Sequence, residues 1–340
     1  MHWLTRTQPG IAGAREEFAA WSDRLARELE LAQAEAVVLH YSVFSYAYRG
    51  VPIFVRPTLS GLVRSRLPIV GFMHELAYPW HLRGLRGDVW AATQRVALRR
   101  VIDACAAAVV TAPFRTEWLA SRVWLPRRRV EFAPVFSNLP APAPSATGPR
   151  EGQLGVFGYA YEGAARETVL DAVRLLHGRG LAVRLALLGA PGAGTPAGEA
   201  WLAAARARGI EHAISFSGVL EKQQLADALG ACEVLLHPEP SGPTSRKGTL
   251  AASLASGRPV VAIDGPLRWA ELVDSEAILV VRDDSRSLAE AVAGLLPDGA
   301  RREALGRRGG QFALREMGVQ RSVTVLATVL EDLLGRSLGA

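Results

Sequence analysis

Residues 140–149 read Pro140-Ala141-Pro142-Ala143-Pro144-Ser145-Ala146-Thr147-Gly148-Pro149, and no other stretch limits the fold as strongly. Proline has no N–H for a helix or a sheet ladder, so prolines at alternate positions impose an extended, semi-rigid spacer. The spacer cuts the 340 residues into two parts, each near the size of an ordinary domain of about 150 residues. Apolar residues make up 49% of the chain, enough for two full cores. The expected layout is a first domain over 1–139, a linker over 140–150 and a second domain over 151–318. A terminal helix over 319–340 is positioned to cross back and brace the first domain.

On both sides of the spacer, short apolar runs alternate with amphipathic stretches, the pattern of parallel sheets with crossover helices. In the first part, residues 14–34 predict a helix with Phe18, Trp21, Leu25 and Leu29 on one stripe. Strands are expected at 36–40, 68–73 and 107–111, with a long helix over 88–106 and an aromatic loop over 41–48, and residues 130–135 run out through 136–138 to the linker. In the second part, strands are expected at 154–157, 183–188, 214–216, 234–237, 259–262 and 277–281. Helices are expected at 167–177, 197–208, 222–229, 249–255 and 323–334. Pro9-Gly10-Ile11-Ala12-Gly13 reads as a turn capping the first helix or as a glycine-rich loop between a strand and that helix.

The net charge is +6, carried almost wholly by arginine, since Lys222 and Lys247 are the only lysines. Such a balance suits anionic substrates, an acidic membrane surface or nucleic acid. Nucleic acid is set aside, because the cations are spread over both halves without a recognised binding motif. The densest cluster, Arg127-Arg128-Arg129 beside Trp124, Leu125 and Pro126, reads as a solvated loop, with a membrane or partner contact as the second reading. No apolar run reaches the roughly 18 residues that cross a bilayer. The opening Met1-His2-Trp3-Leu4-Thr5-Arg6 lacks the order of a signal peptide. Cys105 and Cys232 sit in apolar runs and read as buried small hydrophobes rather than a disulfide or metal pair. A cytoplasmic protein is expected, with contact at a membrane periphery left open.

In an open parallel sheet, ligands bind outside the carboxyl ends of the strands. The richest such place follows residues 234–237: Pro238-Glu239-Pro240-Ser241-Gly242-Pro243-Thr244-Ser245-Arg246-Lys247-Gly248-Thr249. Prolines and Gly242 fix an irregular loop, and a helix begins near Gly248. A helix start presents unpaired N–H groups at the positive end of the macrodipole. Gly248 permits close approach, Ser245 and Thr249 add hydroxyls, and Arg246 and Lys247 add charge, a set that suits a diphosphate. A helix capped by Ser245 with two exposed cations is the equally weighted alternative.

The second half resembles the nucleotide-binding half of the large bacterial retaining glycosyltransferase superfamily (glycosyl transferases group 1) of GT-B architecture. The resemblance rests on five stretches in order: Val156-Phe157-Gly158, Ala186-Leu187-Leu188-Gly189, residues 214–219, residues 231–238, and Ala252-Ser253-Leu254-Ala255-Ser256-Gly257-Arg258-Pro259-Val260-Val261-Ala262. In the first half, His74-Glu75 after an apolar strand resembles the family's strand-end histidine over the donor sugar. Ala133-Pro134-Val135-Phe136-Ser137-Asn138 resembles the segment leading into the interdomain hinge.

The resemblance implies an α/β fold of two Rossmann-like parallel-sheet domains facing each other across a cleft. It implies transfer of a sugar from a nucleotide-diphosphate donor, UDP-type by family habit, without metal or other cofactor, and with the anomeric configuration retained. The acceptor would be a glycan, a lipid-linked or a small molecule. Donor contacts would come from Gly158, Tyr159, Arg166, Gly189, Val219, Thr244, Ser245, Arg246, Lys247, Gly248 and Thr249. Catalytic roles would fall to His74 and Glu239. The aromatic loop with Tyr41, Phe44, Tyr46 and Tyr48 would receive the acceptor or else belong to the core. Domain closure about the proline linker would exclude water.

The departures are specific. The family's two glutamates, eight positions apart, fall on Thr244 and Ala252, and its usual arginine after the first glycines is Tyr159. Its diphosphate lysine has no match at Glu162-Gly163, which leaves Arg166, Arg246 and Lys247 to supply charge. Two other classes therefore stay open: a nucleotide-sugar 2-epimerase, and a degenerate GT-B protein serving as a partner subunit or sugar-binding module.

Overall fold

The computed structural model describes residues 10–143, 148–159 and 164–335, and these divide into two compact units. Residues up to Ala133 and from Val323 onward form the first unit, and Pro134–Ser322 form the second. The division thus falls before the proline segment. Residues 140–143 lie instead along one helix of the second unit, where Ala143 N–H donates to Asp227 (2.8 Å) and Gln223 donates to the Ala141 carbonyl (3.3 Å).

The first unit opens with helix α1 (Gly10–Leu31), so Gly10 to Gly13 are helical and form no loop; Pro9 lies outside the described residues. Four parallel strands follow in the simple order β1 (Val37–Ser42), β2 (Ile69–Glu75), β3 (Ala107–Val110) and β4 (Arg129–Phe132). Helices α2 (Val55–Arg64), α3 (Gly84–Ala104) and α4 (Pro113–Ala120) make the crossovers. Among the described residues no strand precedes Val37, so the first sheet starts directly at β1.

Side chains alternate across β2 as the two-residue strand period requires. Ile69 and Met73 join Leu59, Leu98 and Ile102 from α2 and α3. Val70 and Phe72 face the other way, onto Val325, Leu326, Val329 and Leu330 of the terminal helix α12 (Val319–Leu334). A sheet wound in one direction leaves its second face bare, and α12 covers that face.

The arginine run 127–129 is drawn into this unit. Arg128 donates to the Cys105 and Asp103 carbonyls, Arg127 to the Ala120 carbonyl, and Arg129 pairs with Glu131 and Asp332. Two of these guanidiniums thus cap backbone carbonyls, and the third is neutralised by carboxylates. Both cysteines are free and buried, and burial pushes each thiol up to about 12.

The second unit carries six parallel strands: β5 (Gln153–Phe157), β6 (Arg184–Leu188), β7 (Ile214–Gly218), β8 (Val234–His237), β9 (Val260–Ile263) and β10 (Leu279–Val281). Their order is β10-β9-β8-β5-β6-β7. The chain runs outward from β5 to β7, then returns to start again at β8 on the other side of β5. The direction of winding therefore reverses between β5 and β8, where Leu154, Gly155 and Val156 pair with Val234, Leu235 and Leu236. Helices α5 (Ala164–Gly178), α6 (Pro196–Arg206), α7 (Lys222–Gly230), α8 (Gly248–Ala255), α9 (Ala270–Asp274), α10 (Ser285–Leu295) and α11 (Gly299–Glu316) surround the sheet.

Candidate functional site

A reversal of winding leaves a crevice outside the carboxyl ends of the two strands concerned, because their crossover helices leave on opposite faces. Here the crevice lies between the ends of β5 and β8. Gly158 follows β5 in the left-handed region (φ 71°), and a Cβ placed on it would stand 2.7 Å from Thr249 Cγ2. Only glycine lets the strand end meet the first turn of α8 this closely.

The start of α8, like that of the one-turn helix α9, has no side-chain cap, whereas three other helices of the unit have one. Thr195, Asp284 and Asp298 cap α6, α10 and α11 by accepting a backbone N–H with their side chains. Helix α8 begins after Lys247, which makes no side-chain capping bond. Ser245 is therefore not the cap, contrary to the alternative reading of the sequence; it is buried, and its carbonyl accepts from Val135 N–H (2.8 Å). The N–H groups of the first turn keep the partial positive charge of an uncapped helix end.

Lys247 and Glu239 form an ion pair of 2.6 Å, and Ser241 donates to the second carboxylate oxygen at 3.0 Å. Burial alone would raise the Glu239 pKa. The hydrogen bond and charge of Lys247, the Ser241 hydroxyl and His237 outweigh it and hold Glu239 below the ordinary carboxylate value. Beneath this pair His237 ends β8, and burial lowers its imidazole to about 4, with Glu239 opposing and Lys247 assisting.

The loop between β8 and α8 is held rigidly. Leu267 N–H donates to the Ser241 carbonyl and Trp269 N–H to the Pro243 carbonyl, both at 2.8 Å. Gly242 (φ 86°) lies so close to Gly265 that a Cβ on Gly265 would reach within 2.3 Å of Gly242 N. Within this loop His237 Nε2, Thr244 Oγ1 and Arg246 Nε are buried without hydrogen-bond partners. Each such atom costs about 1–3 kcal/mol, and three within ten residues mark a segment not optimised for stability alone.

The remaining sequence-predicted donor contacts are placed by the fold of the second unit. The Tyr159 side chain lies in the core, edge-on to Trp201 and Phe216, with its hydroxyl accepting from Gly192 N–H. It is a packing residue, so the position where the family carries an arginine brings no charge to the crevice. Arg166 is bound to Glu167 (3.0 Å), which also pairs with Arg208 (2.6 Å). Gly189 (φ 83°) ends β6 and spends its N–H on Ser217 Oγ (2.9 Å), while Val219 is exposed just beyond β7. Positions 162 and 163 lie outside the described residues.

In the first unit, His74 lies within β2, and its Nε2 stands 3.0 Å from Nδ1 of His40 on β1. The two rings stack with Phe72 beside them. Arg115, on α4, donates to the His74 carbonyl and to Thr111 Oγ1 (2.9 Å). Burial, then the neighbouring His40 and Arg115, lower the His74 pKa, while Glu75 opposes them. His40 is absent from the sequence-level candidates. The signal was its place in the apolar run 36–40, which forms the strand beside β2. Of the aromatic loop, Tyr41 is core and its pKa is raised by burial, Phe44 is exposed, and Tyr46 donates to the His40 carbonyl (3.1 Å).

Two parallel-sheet α/β units, the second wound about a switch point, make the GT-B architecture, and the solved structures that the chain resembles share it. A glycosyltransferase from Rickettsia africae superposes with a TM-score of 0.71 at 8% identity, covering 98% of this chain and 85% of that one. Sucrose-phosphate synthase from Thermosynechococcus elongatus gives 0.68 at 15% identity, covering 97% and 81%. Anabaena HepE in complex with UDP and glucose gives 0.68 at 16% identity, covering 98% and 85%. Residues 152–298, all within the second unit, match the family model described as Glycosyl transferases group 1. By that match the second unit resembles the group 1 glycosyltransferases, and the whole chain shares the GT-B fold of the solved structures. No curated protein sequence matches the chain.

Proposed function

We propose that the chain is a glycosyltransferase that takes its sugar from a nucleoside-diphosphate donor whose phosphates bind at the carboxyl ends of β5 and β8. The observation that carries this reading is the uncapped start of α8 against Gly158, with Lys247 at its mouth. A leaving diphosphate gains negative charge as the glycosidic bond breaks, and fixed N–H dipoles with a cation stabilise that charge most where water is excluded. Glu239 is ionised and holds Lys247 in place; its own charge is already spent on that lysine, so it serves as a positioning group. His74, with a lowered pKa, is neutral near pH 7 and offers a hydrogen bond to a sugar or acceptor hydroxyl. Phe44, Tyr46 and Tyr48 are the aromatic groups proposed for the acceptor.

UDP is the first nucleotide to test, since HepE was crystallised with UDP and glucose. In this reading the reaction retains the anomeric configuration and needs no metal, because Lys247 and the helix start supply the positive charge. Two free, buried thiols fit a reducing compartment, which supports a cytoplasmic location. The test is release of nucleoside diphosphate from a panel of nucleotide sugars in the presence of a chelator. Turnover above background that is lost in His74→Ala supports the proposal; turnover unaffected by both His74→Ala and Lys247→Ala contradicts it.

A further inference from the structure

The chain leaving β2 runs through eight consecutive exposed residues, Pro79-Trp80-His81-Leu82-Arg83-Gly84-Leu85-Arg86. Within it Trp80, Leu82 and Leu85 are 45%, 62% and 87% exposed, and Val89, four residues on and so on the same side of α3, is 53% exposed. Single exposed apolar side chains are ordinary on a protein surface; a contiguous group of large ones marks a contact.

The segment is built to hold these side chains outward. Fully buried Gln94 accepts from Tyr78 N–H (2.7 Å) and donates to the Gly50 carbonyl (2.8 Å). Arg95 donates to the Tyr78 carbonyl (2.9 Å) and lies 4.6 Å from the Trp80 ring centre. Asp88 accepts from His81 N–H (2.8 Å), and His81 and Gly84 both take the left-handed backbone region (φ 62° and 55°). The anchors on α3 fix the loop, and among the described residues its apolar tips stand exposed.

The charge around the tips has one sign. Residues 79–95 hold Arg83, Arg86 and Arg95 against a single acid, Asp88, which is turned to His81. Among the described residues neither Arg83 nor Arg86 forms an ion pair. A tryptophan and two leucines ringed by arginines match the boundary between acyl chains and anionic headgroups. A second copy of the same patch would bring like charges together. We infer that the first unit docks on an anionic lipid surface through Trp80, Leu82 and Leu85, with Arg83 and Arg86 on the headgroup phosphates.

The test is sedimentation of the full chain with vesicles of phosphatidylcholine alone or with about a third phosphatidylglycerol, where each arginine contributes severalfold in affinity. The expected result is binding to the anionic vesicles that weakens about tenfold or more in Arg83→Gln/Arg86→Gln and in Leu82→Ser/Leu85→Ser. All four side chains are exposed, so both variants should keep the parent's melting temperature; if the leucine pair fails to fold, the arginine pair alone decides. Equal binding to neutral and anionic vesicles would overturn the inference, as would binding that neither variant weakens. Sedimentation of a lipid-free dimer that Leu82→Ser/Leu85→Ser dissolves would also overturn it, by assigning the patch to a second copy.

Discussion

Lys247 Nζ lies 2.6 Å from Glu239 Oε2, so the principal cation of the proposed phosphate site is already half-neutralised by its own loop. The pair fixes the lysine ahead of α8 but weakens its pull on an anion. Glu239→Gln should therefore destabilise the fold by about 1–2 kcal/mol, allowing for the part-exposure of the lysine, and should tighten nucleoside-diphosphate binding. Calorimetric titration and denaturant unfolding measure the two effects. A variant that binds more weakly while staying folded would give Glu239 a direct role with the donor.

His237 supplies a pH signature. Its folded pKa is about 4 against an ordinary 6.5, so the unfolded chain takes up the proton first as pH falls. Stability contributed by the neutral, buried ring is full above pH 6.5 and declines as pH drops toward 4, by about 2 kcal/mol at pH 5. Melting temperatures across that range should fall more steeply for the parent than for His237→Gln. Parallel curves would mean that His237 is not held neutral by the fold.

The Gly158–Thr249 approach can be separated into two parts. Gly158→Ala meets Thr249 Cγ2 at 2.7 Å and must also hold φ at 71°. The backbone part alone costs about 1–2 kcal/mol. Adding Thr249→Ser removes the methyl and keeps the hydroxyl, so the double variant should regain the steric share of stability and not the backbone share. Additive losses from the two substitutions would show that the contact is loose in solution.

His40 and His74 share one proton position, since two N–H groups cannot point at each other across 3.0 Å. His40→Ala removes a neighbour that lowers the His74 pKa, leaving burial and Arg115 against Glu75. The His74 pKa, followed by NMR titration of its ring, should rise in that variant. A fall would mean that His40 stabilises the charged form.

The alternation of apolar runs was enough to read most of the sheet strands, because runs such as β3 and β9 are apolar and buried along their whole length. Helices α2, α4, α9, α10 and α11 escaped such reading. The first two are short, and α11 contains Gly299, Gly306, Gly309 and Gly310 among arginines, so its buried stripe is thin. The loop of the proposed phosphate site drew attention through its glycines and basic pair at a strand end. Its internal ion pair was not, since Glu239 and Lys247 meet only after the loop folds against residues 265–269. His40 needed the β1–β2 pairing to reach His74. Tyr159 was misread because its place after a glycine suggested the crevice, whereas packing against Trp201 turns it into the core. Trp80, Leu82 and Leu85 look like core residues in a sequence; only the fold leaves them outside.

The most direct test of the donor site is a thermal-shift titration of the full chain with UDP and other nucleoside diphosphates, repeated on Lys247→Ala. A ligand present at a hundred times its Kd stabilises by about 2.7 kcal/mol, enough to raise the melting temperature by several degrees. That shift is expected for the parent, and its loss, or reduction to a small fraction, in Lys247→Ala. An equal shift in both proteins, or none in the parent at millimolar nucleotide, would contradict a phosphate grip at the start of α8.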